Sequence, residues 1–234
     1  MSRPIKIYAS ELLAIITHVS KEQYYNMETG GDLYGLWTDD GTPVIFLATG
    51  PGPEACSSKY KFQQDYESIM RNEEYLFLRY GLQYMGDWHS HHIMGLREPS
   101  SGDQRRIKNL LKQPGRKRMV ELIVTHNYTI HNHTEEISCF YYKAGKKMEH
   151  TYFEELDVKQ SLIRRDLISC GAPINLLESI SEMDKKDRNE KVLMNLKSDY
   201  LKNNGKRVAA NSEQEQYYEP LLDGVKDTIL QYIK

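Results

Sequence analysis

Gly86-Asp87-Trp88-His89-Ser90-His91-His92-Ile93-Met94-Gly95-Leu96-Arg97-Glu98-Pro99-Ser100-Ser101-Gly102-Asp103 sets a pair of histidines ahead of a serine and an aspartate. Residues 82–91 have little helical periodicity, and Gly95 and Pro99 break up the next stretch, so the pattern predicts a strand running directly into a loop. On a strand, positions i and i+2 share a face, so His89 and His91 can present their imidazoles to one ion while His92 points the other way. Trp88 and Ser90 alternate with the histidines, which makes Trp88 a core residue rather than a substrate platform.

Ser100 or Ser101 caps a helix through Leu111, and Pro114-Gly115 stops it. Asp103 lies in the first turn of that helix, where a loop closing back over the strand end brings its carboxylate to the pair as a third ligand. Three ligands leave the fourth tetrahedral position open, which distinguishes a catalytic zinc from a structural one and makes amide hydrolysis feasible.

Upstream, Phe62, Tyr66, Ile69, Glu73, Leu76 and Tyr80 keep a three-four spacing and predict a helix over 62–80, ended by Gly81. Leu33, Leu36 and Trp37, the turn Thr38-Asp39-Asp40-Gly41-Thr42, and Val44-Ile45-Phe46-Leu47 predict a β-hairpin. Leu12, Ile15, Ile16 and Val19 predict an amphipathic helix from Ser10 to about residue 25. Downstream, Val120-Glu121-Leu122-Ile123-Val124 and Ile137-Ser138-Cys139-Phe140-Tyr141-Tyr142 read as paired strands. The order is αββαβαββ, a single α/β domain over 1–149, a mixed and partly curled sheet flanked by helices with the His-bearing strand ending at the site. From 150 to 234 the composition turns to charged helix formers, dense at Asp184-Lys185-Lys186-Asp187-Arg188-Asn189-Glu190-Lys191, which predicts a helical C-terminal extension.

His89, His91, Ser100 and Asp103 in this order resemble the signature of the JAB/MPN metallopeptidases, also called JAMM proteases. Glu28-Thr29-Gly30-Gly31-Asp32-Leu33-Tyr34-Gly35 resembles the family's Glu-bearing strand, so the likeness spans roughly 5–145. The resemblance implies a cytidine-deaminase-like MPN/JAB fold with Zn2+ on His89, His91 and Asp103. It also implies Glu28 as the base that moves a proton from water to the leaving amine, and Ser100 as hydrogen-bond donor to the oxyanion. The implied reaction is zinc-dependent (iso)peptidase cleavage after the C-terminal tail of a ubiquitin or ubiquitin-like protein, with conjugation-system enzymes as further partners. The His-Ser-His-His variant is similar to the bacterial branch of the family. His92 stands where many members have proline, and the gap from His91 to Ser100 is one residue longer than the family's. Starting from His92 restores that gap but would set the two histidines on opposite strand faces, so His91 is the assigned ligand.

Each feature also has a plain reading. His131-Asn132-His133 is a second His-x-His pair with no suitable carboxylate downstream, Ser100-x-x-Asp103 is an ordinary capping pattern, and Glu54 and Glu67 match Glu28 in charge. Only the combination points to chemistry. His92 reads as a surface or supporting histidine. Arg105, Arg106, Lys108, Lys112, Arg116, Lys117 and Arg118 form a basic cluster without interleaved aromatics, a solvated helix face rather than a nucleic-acid site. Cys56, in Ala55-Cys56-Ser57-Ser58, has no nominated histidine partner and reads as an unreactive thiol. Two other functions compete with the peptidase: a catalytically silent MPN scaffold that binds partners through the extension, and a metal-dependent hydrolase of another substrate.

The 234 residues suffice for one well-buried core and an extension, and Lys+Arg 31 against Asp+Glu 33 gives no global field toward nucleic acid or anionic membrane. Cys56, Cys139 and Cys170 are too few and too scattered for a disulfide framework or a CxxC zinc site, which suits a reducing compartment. Met1-Ser2-Arg3-Pro4-Ile5-Lys6 lacks the apolar run of a signal peptide, and no membrane-length apolar stretch occurs, so the expected location is cytoplasmic.

Overall fold

The β-rich core forms one mixed sheet. A computed structural model describes residues 3–20, 26–91, 96–128, 133–158 and 160–170. The elements in chain order are β1 (Ile5–Ile7), α1 (Ala9–Val19), β2 (Gly30–Trp37), β3 (Pro43–Ala48), β4 (Cys56–Ser58), β5 (Lys61–Gln63) and α2 (Tyr66–Tyr80), followed by β6 (Gln83–His91), α3 (Ser101–Leu110), β7 (Arg118–Tyr128), β8 (His133–Lys143), β9 (Glu149–Thr151), β10 (Phe153–Glu155) and α4 (Leu162–Cys170). Eight strands make the main sheet in the order β10-β1-β3-β2-β6-β7-β8-β9, and β4 and β5 make a separate hairpin. The β1–β10, β1–β3 and β6–β7 pairs are parallel and the rest antiparallel.

Local chemistry fixes the ends of the elements. Thr38 and Thr42 close the β2–β3 turn through a backbone bond of 3.0 Å, with Gly41 at φ 85°. The Asp65 carboxylate accepts the Ser68 N–H at 3.0 Å to start α2, and Gly81 in the left-handed region ends it. The expected helix over 62–80 therefore begins only at Tyr66. Residues 61–63 are strand instead, because Phe62 packs over Gly30, where a Cβ would lie 2.5 Å from its ring. The expected helix from Ser10 runs Ala9–Val19, and 21–25 lie outside the described residues. β1, β9 and β10, of three residues each, are too short to show a period in sequence.

Alternation along the strands divides the core between two faces. Leu12, Ile15 and Val19 of α1 pack with Ile5, Leu33, Met85, Trp88, Val120, Leu122 and Val124 on one face. Ile69 and Leu76 of α2, Ile107 of α3, and Ile163 and Leu167 of α4 pack with Tyr34, Phe46, Tyr84, Ile123 and Phe140 on the other. Met85 and Trp88 share a face although they are three apart, because the β2–β6 register shifts there. Leu33 pairs with Gly86 and Tyr34 with Tyr84, leaving Met85 as the extra residue of a bulge. Gly86 sits at φ 144°, and a Cβ on it would stand 1.8 Å from the Val120 carbonyl oxygen. We expect Gly86→Ala to destabilise the fold by about 3 kcal/mol or more in urea unfolding.

The sequence reading divides the chain at 149/150, yet the same packed body continues to Cys170. β10 pairs in parallel with β1, and α4 is tied to the rest by a buried ion pair. The Arg164 guanidinium grips the Glu11 carboxylate with bonds of 2.8 and 2.6 Å, and the Ala48 N–H and C=O flanking the pair bond to it as well. Residues 171–234 of the expected helical extension lie outside the described residues. Removing one partner leaves a buried charge unpaired, so Arg164→Ala is expected to cost about 3–5 kcal/mol, read from the midpoint and slope of denaturant unfolding. No described helix is long and apolar enough to cross a membrane.

Candidate metal centre

The last residues of β6 and the first turn of α3 meet at an open cleft of about 530 Å³. Its floor is built by the strand parity that the bulge sets, with Asp87, His89 and His91 on the α2–α3 face and Trp88 and Ser90 behind. The reverse face is locked: the Trp88 Nε1–H donates to the Thr49 carbonyl at 2.8 Å, and the Thr29 N–H donates to Ser90 Oγ at 3.0 Å. His89 and His91 are 5% and 6% exposed, enough to leave one edge of each ring on the cleft.

His89 Nε2 lies 3.1 Å from His91 Nε2 and 3.5 Å from Asp103 Oδ2, and His91 Nε2 lies 4.0 Å from the same oxygen. Two donors bound at about 2.1 Å to one tetrahedral ion stand about 3.4 Å apart, so the three separations bracket what an ion needs. The residues fit a metal ion. Nδ1 of His91 faces the Leu96 carbonyl at 2.8 Å, which makes Nδ1 the protonated nitrogen and turns Nε2 to the cleft.

Asp103 carries two duties. Its N–H donates to Ser100 Oγ at 3.2 Å and its Oδ2 accepts the Ser100 N–H at 2.8 Å, a complete capping box, and that same Oδ2 faces both histidines. The cap uses a lone pair of Ser100 Oγ, so its proton remains available to an acceptor in the cleft. Glu28, just before β2, lines the cleft and is tied to β4 by its N–H, 2.7 Å from the Ser58 carbonyl. Burial lifts the Glu28 carboxyl to about 7; His89 and the Phe62 N–H pull it down and Asp103 pushes it up. All five residues singled out in the sequence thus line one cleft. His92 and the ring positions of His131-Asn132-His133 lie outside the described residues.

Beneath the histidines lies a polar network that the sequence reading does not anticipate. Asp87 Oδ2 and Oδ1 accept from Arg106 Nη1 and Nη2 at 2.6 and 2.8 Å, and Glu121 Oε2 accepts the Tyr142 hydroxyl at 2.5 Å. Arg106 also reaches Gln64, whose amide donates to Asp32. Asp87, His89 and Glu121 form a second group of possible ligands among the described residues, around His89 Nδ1. There the guanidinium already supplies the positive charge. Arg106, Arg116 and Arg118 of the basic cluster are engaged within the fold, Arg116 with Glu73 at 2.6 Å and over the Tyr84 ring, Arg118 over Trp37. Arg106 is thus a partly buried cation paired at the cleft wall rather than a freely solvated one. The sequence held two signals for this network: Asp87 shares the parity of His89, and Glu121 is a lone acid in an apolar strand.

Fold and site together define a mixed α/β domain whose His, His and Asp side chains fit a metal ion beside an open cleft. No protein-family model matches the chain. It is 29% identical over 116 residues to the "Probable metalloprotease y4qB" of Sinorhizobium fredii (strain NBRC 101917 / NGR234), an alignment covering 49% of this chain and 70% of that protein.

Without an ion, the carboxylates around His89 favour its protonated form. Burial disfavours a charged His89, but the Asp103, Asp87 and Glu121 carboxylates outweigh it and raise the ring to about 10. Asp103 is held well below the usual carboxylate range, burial being outweighed by its bond to His89. A cation at Nε2 must displace that proton, so its apparent affinity rises with pH up to the region of that pKa. Calorimetric titration with zinc near pH 7, in buffers of different ionisation enthalpy, is expected to show about one proton or more released per ion bound.

Proposed function

We propose that this protein is a zinc metallopeptidase of the JAB/MPN type that cleaves the bond after the C-terminal tail of a ubiquitin-like protein. One observation carries the reading: three ligand atoms converge on an open cleft whose wall holds a carboxyl group raised to about 7. The metalloprotease name of the similar Sinorhizobium protein supports a metal-dependent hydrolase, and the motif order supports the finer class.

His89, His91 and Asp103 are the residues that would hold the ion. A zinc ion there would supply Lewis acidity to the scissile carbonyl and make water more acidic. Glu28 accepts a proton from the attacking water and delivers it to the leaving amine, so the carboxylate is regenerated as the C–N bond breaks. Its burial suits both halves, since a carboxyl group near neutrality takes and gives a proton with little bias. Ser100 donates its hydroxyl proton to the oxygen that becomes negative, while Asp103 N–H keeps the hydroxyl in place. The β4–β5 hairpin, whose Lys61–Gln63 strand lines the cleft, offers extended backbone against which a glycine-rich tail could pair.

The test is metal analysis of the full chain, with a panel of ubiquitin-like fusions assayed with and without chelator. Chelator-sensitive cleavage by zinc-loaded protein is expected, and Glu28→Gln should lower kcat by about 10²–10⁴-fold with metal content unchanged. The competent form of Glu28 is the carboxylate, present above its pKa and lost as pH falls through it. The acid limb of kcat/KM should therefore lie at or below about 7, a nearby cation drawing it down from the metal-free value. Zinc-loaded protein with no cleavage of any fusion would remove the ubiquitin-like substrate, and wild type that takes up no zinc would remove the mechanism.

A further inference from the structure

Two metal ligands lie on different elements, and one side chain touches the support of both. Asp103 and Arg106 are three apart on α3 and so project from the same side of the helix. Asp103 reaches up to the cleft, and Arg106 reaches under it to a strand carboxylate two residues before His89. The fork is bidentate, 2.6 and 2.8 Å to Asp87, with a longer reach of 3.5 Å to Glu121. Facing this group, His89 Nδ1 is 3.8 Å from Asp87 Oδ1 and 3.9 Å from Glu121 Oε1. His91 Nδ1 has a backbone carbonyl at 2.8 Å, whereas among the described residues His89 Nδ1 faces these two carboxylates at longer range.

We propose that Arg106 is a positioning residue for the metal centre. It fixes the Asp87 carboxylate, whose negative charge stands 3.8 Å from His89 Nδ1 and so favours the ring orientation that turns Nε2 to the cleft, and through α3 it holds Asp103 at ligand distance. The inference rests on the metal-site reading of His89, His91 and Asp103, and concerns affinity and ligand geometry, not the reaction. A planar fork is required, because an ammonium group gives one point of contact and neither fixes the carboxylate plane nor spans to Glu121.

Cobalt(II) binding to the full chain tests it, read both as affinity by competition with a chromogenic chelator and as the visible spectrum of the bound ion. Arg106→Lys and Asp87→Asn are each expected to weaken binding by about 10–100-fold and to alter the spectrum. The double variant Asp87→Asn/Arg106→Gln should lose little more than the worse single one, since the pair acts as a unit. That double variant removes both charges of the pair together, so it serves where a single variant fails to fold. Folded variants that bind cobalt as tightly as wild type, with the same spectrum, would overturn the inference and leave the metal centre standing. Wild type that binds no cobalt would overturn the metal centre itself, and this inference with it.

Discussion

Everything at the site depends on the phase of one strand. A strand shows its residues alternately to two faces, so a slip of one residue would carry Asp87, His89 and His91 to the α1 side and Trp88 into the cleft. The bulge at Met85 and Gly86 makes that slip once, between two segments that need opposite phases. Below it, Tyr84 faces the α2–α3 core; above it, so do the acid and the two histidines. Gly86 is needed because its conformation is left-handed and because the Val120 carbonyl sits where a side chain would begin. The reverse face then holds the phase: Trp88 is 1% exposed, hydrogen-bonded at its indole nitrogen, and packed against the α1 core.

The charges beneath the histidines are arranged at a cost. Asp32, Asp87 and Glu121 are buried, and burial of ionised groups costs more than a well-packed apolar core would. The cost is reduced by neutralising some of them. Burial and the nearby Asp87 push Asp32 well above its usual range, and burial pushes Glu121 to about 7, while Arg106 keeps Asp87 ionised. The result is one firm ion pair, an Asp32 carboxyl pushed toward its neutral form, and a Glu121 carboxyl poised near neutrality. Such a network contributes little to stability for its size; what it does is join the helix that carries Asp103 to the strand that carries His89.

The sequence carried the upper half of this site and little of the lower half. His89 and His91 are legible because strand parity needs only neighbouring residues, and Asp103 because Ser100 announces the helix that carries it. The plain reading of Ser100 and Asp103 as a cap and the functional reading as a ligand are compatible, since the carboxylate oxygen that accepts the Ser100 N–H also faces both histidines. Arg106 is hidden among the other basic residues of its cluster, and what separates it from them is the packing of α3 over β6, a tertiary fact. The same holds for β10 and α4. Three residues of strand have no period, and nothing in Ser161 to Arg164 says that Glu11 awaits them from the far end of the chain.

His89 belongs to both candidate ligand groups, Nε2 to one and Nδ1 to the other, and the two differ in what stands ready for a cation. On the Nδ1 side, Arg106 lies within 2.8 Å of Asp87 Oδ1 and 3.5 Å of Glu121 Oε1, so the chain itself already supplies a positive charge. An ion entering there would have to evict a guanidinium from a bidentate pair. On the Nε2 side, the acceptors His91 and Asp103 face the cleft with only a proton between them and His89, and a proton is readily exchanged for an ion as pH permits. The fold thus sets Arg106 on the inner side of the ring, and the donor set on the outer side is the one that fits a cation. Asymmetry across a single imidazole, rather than the number of ligands, selects the place where an ion fits.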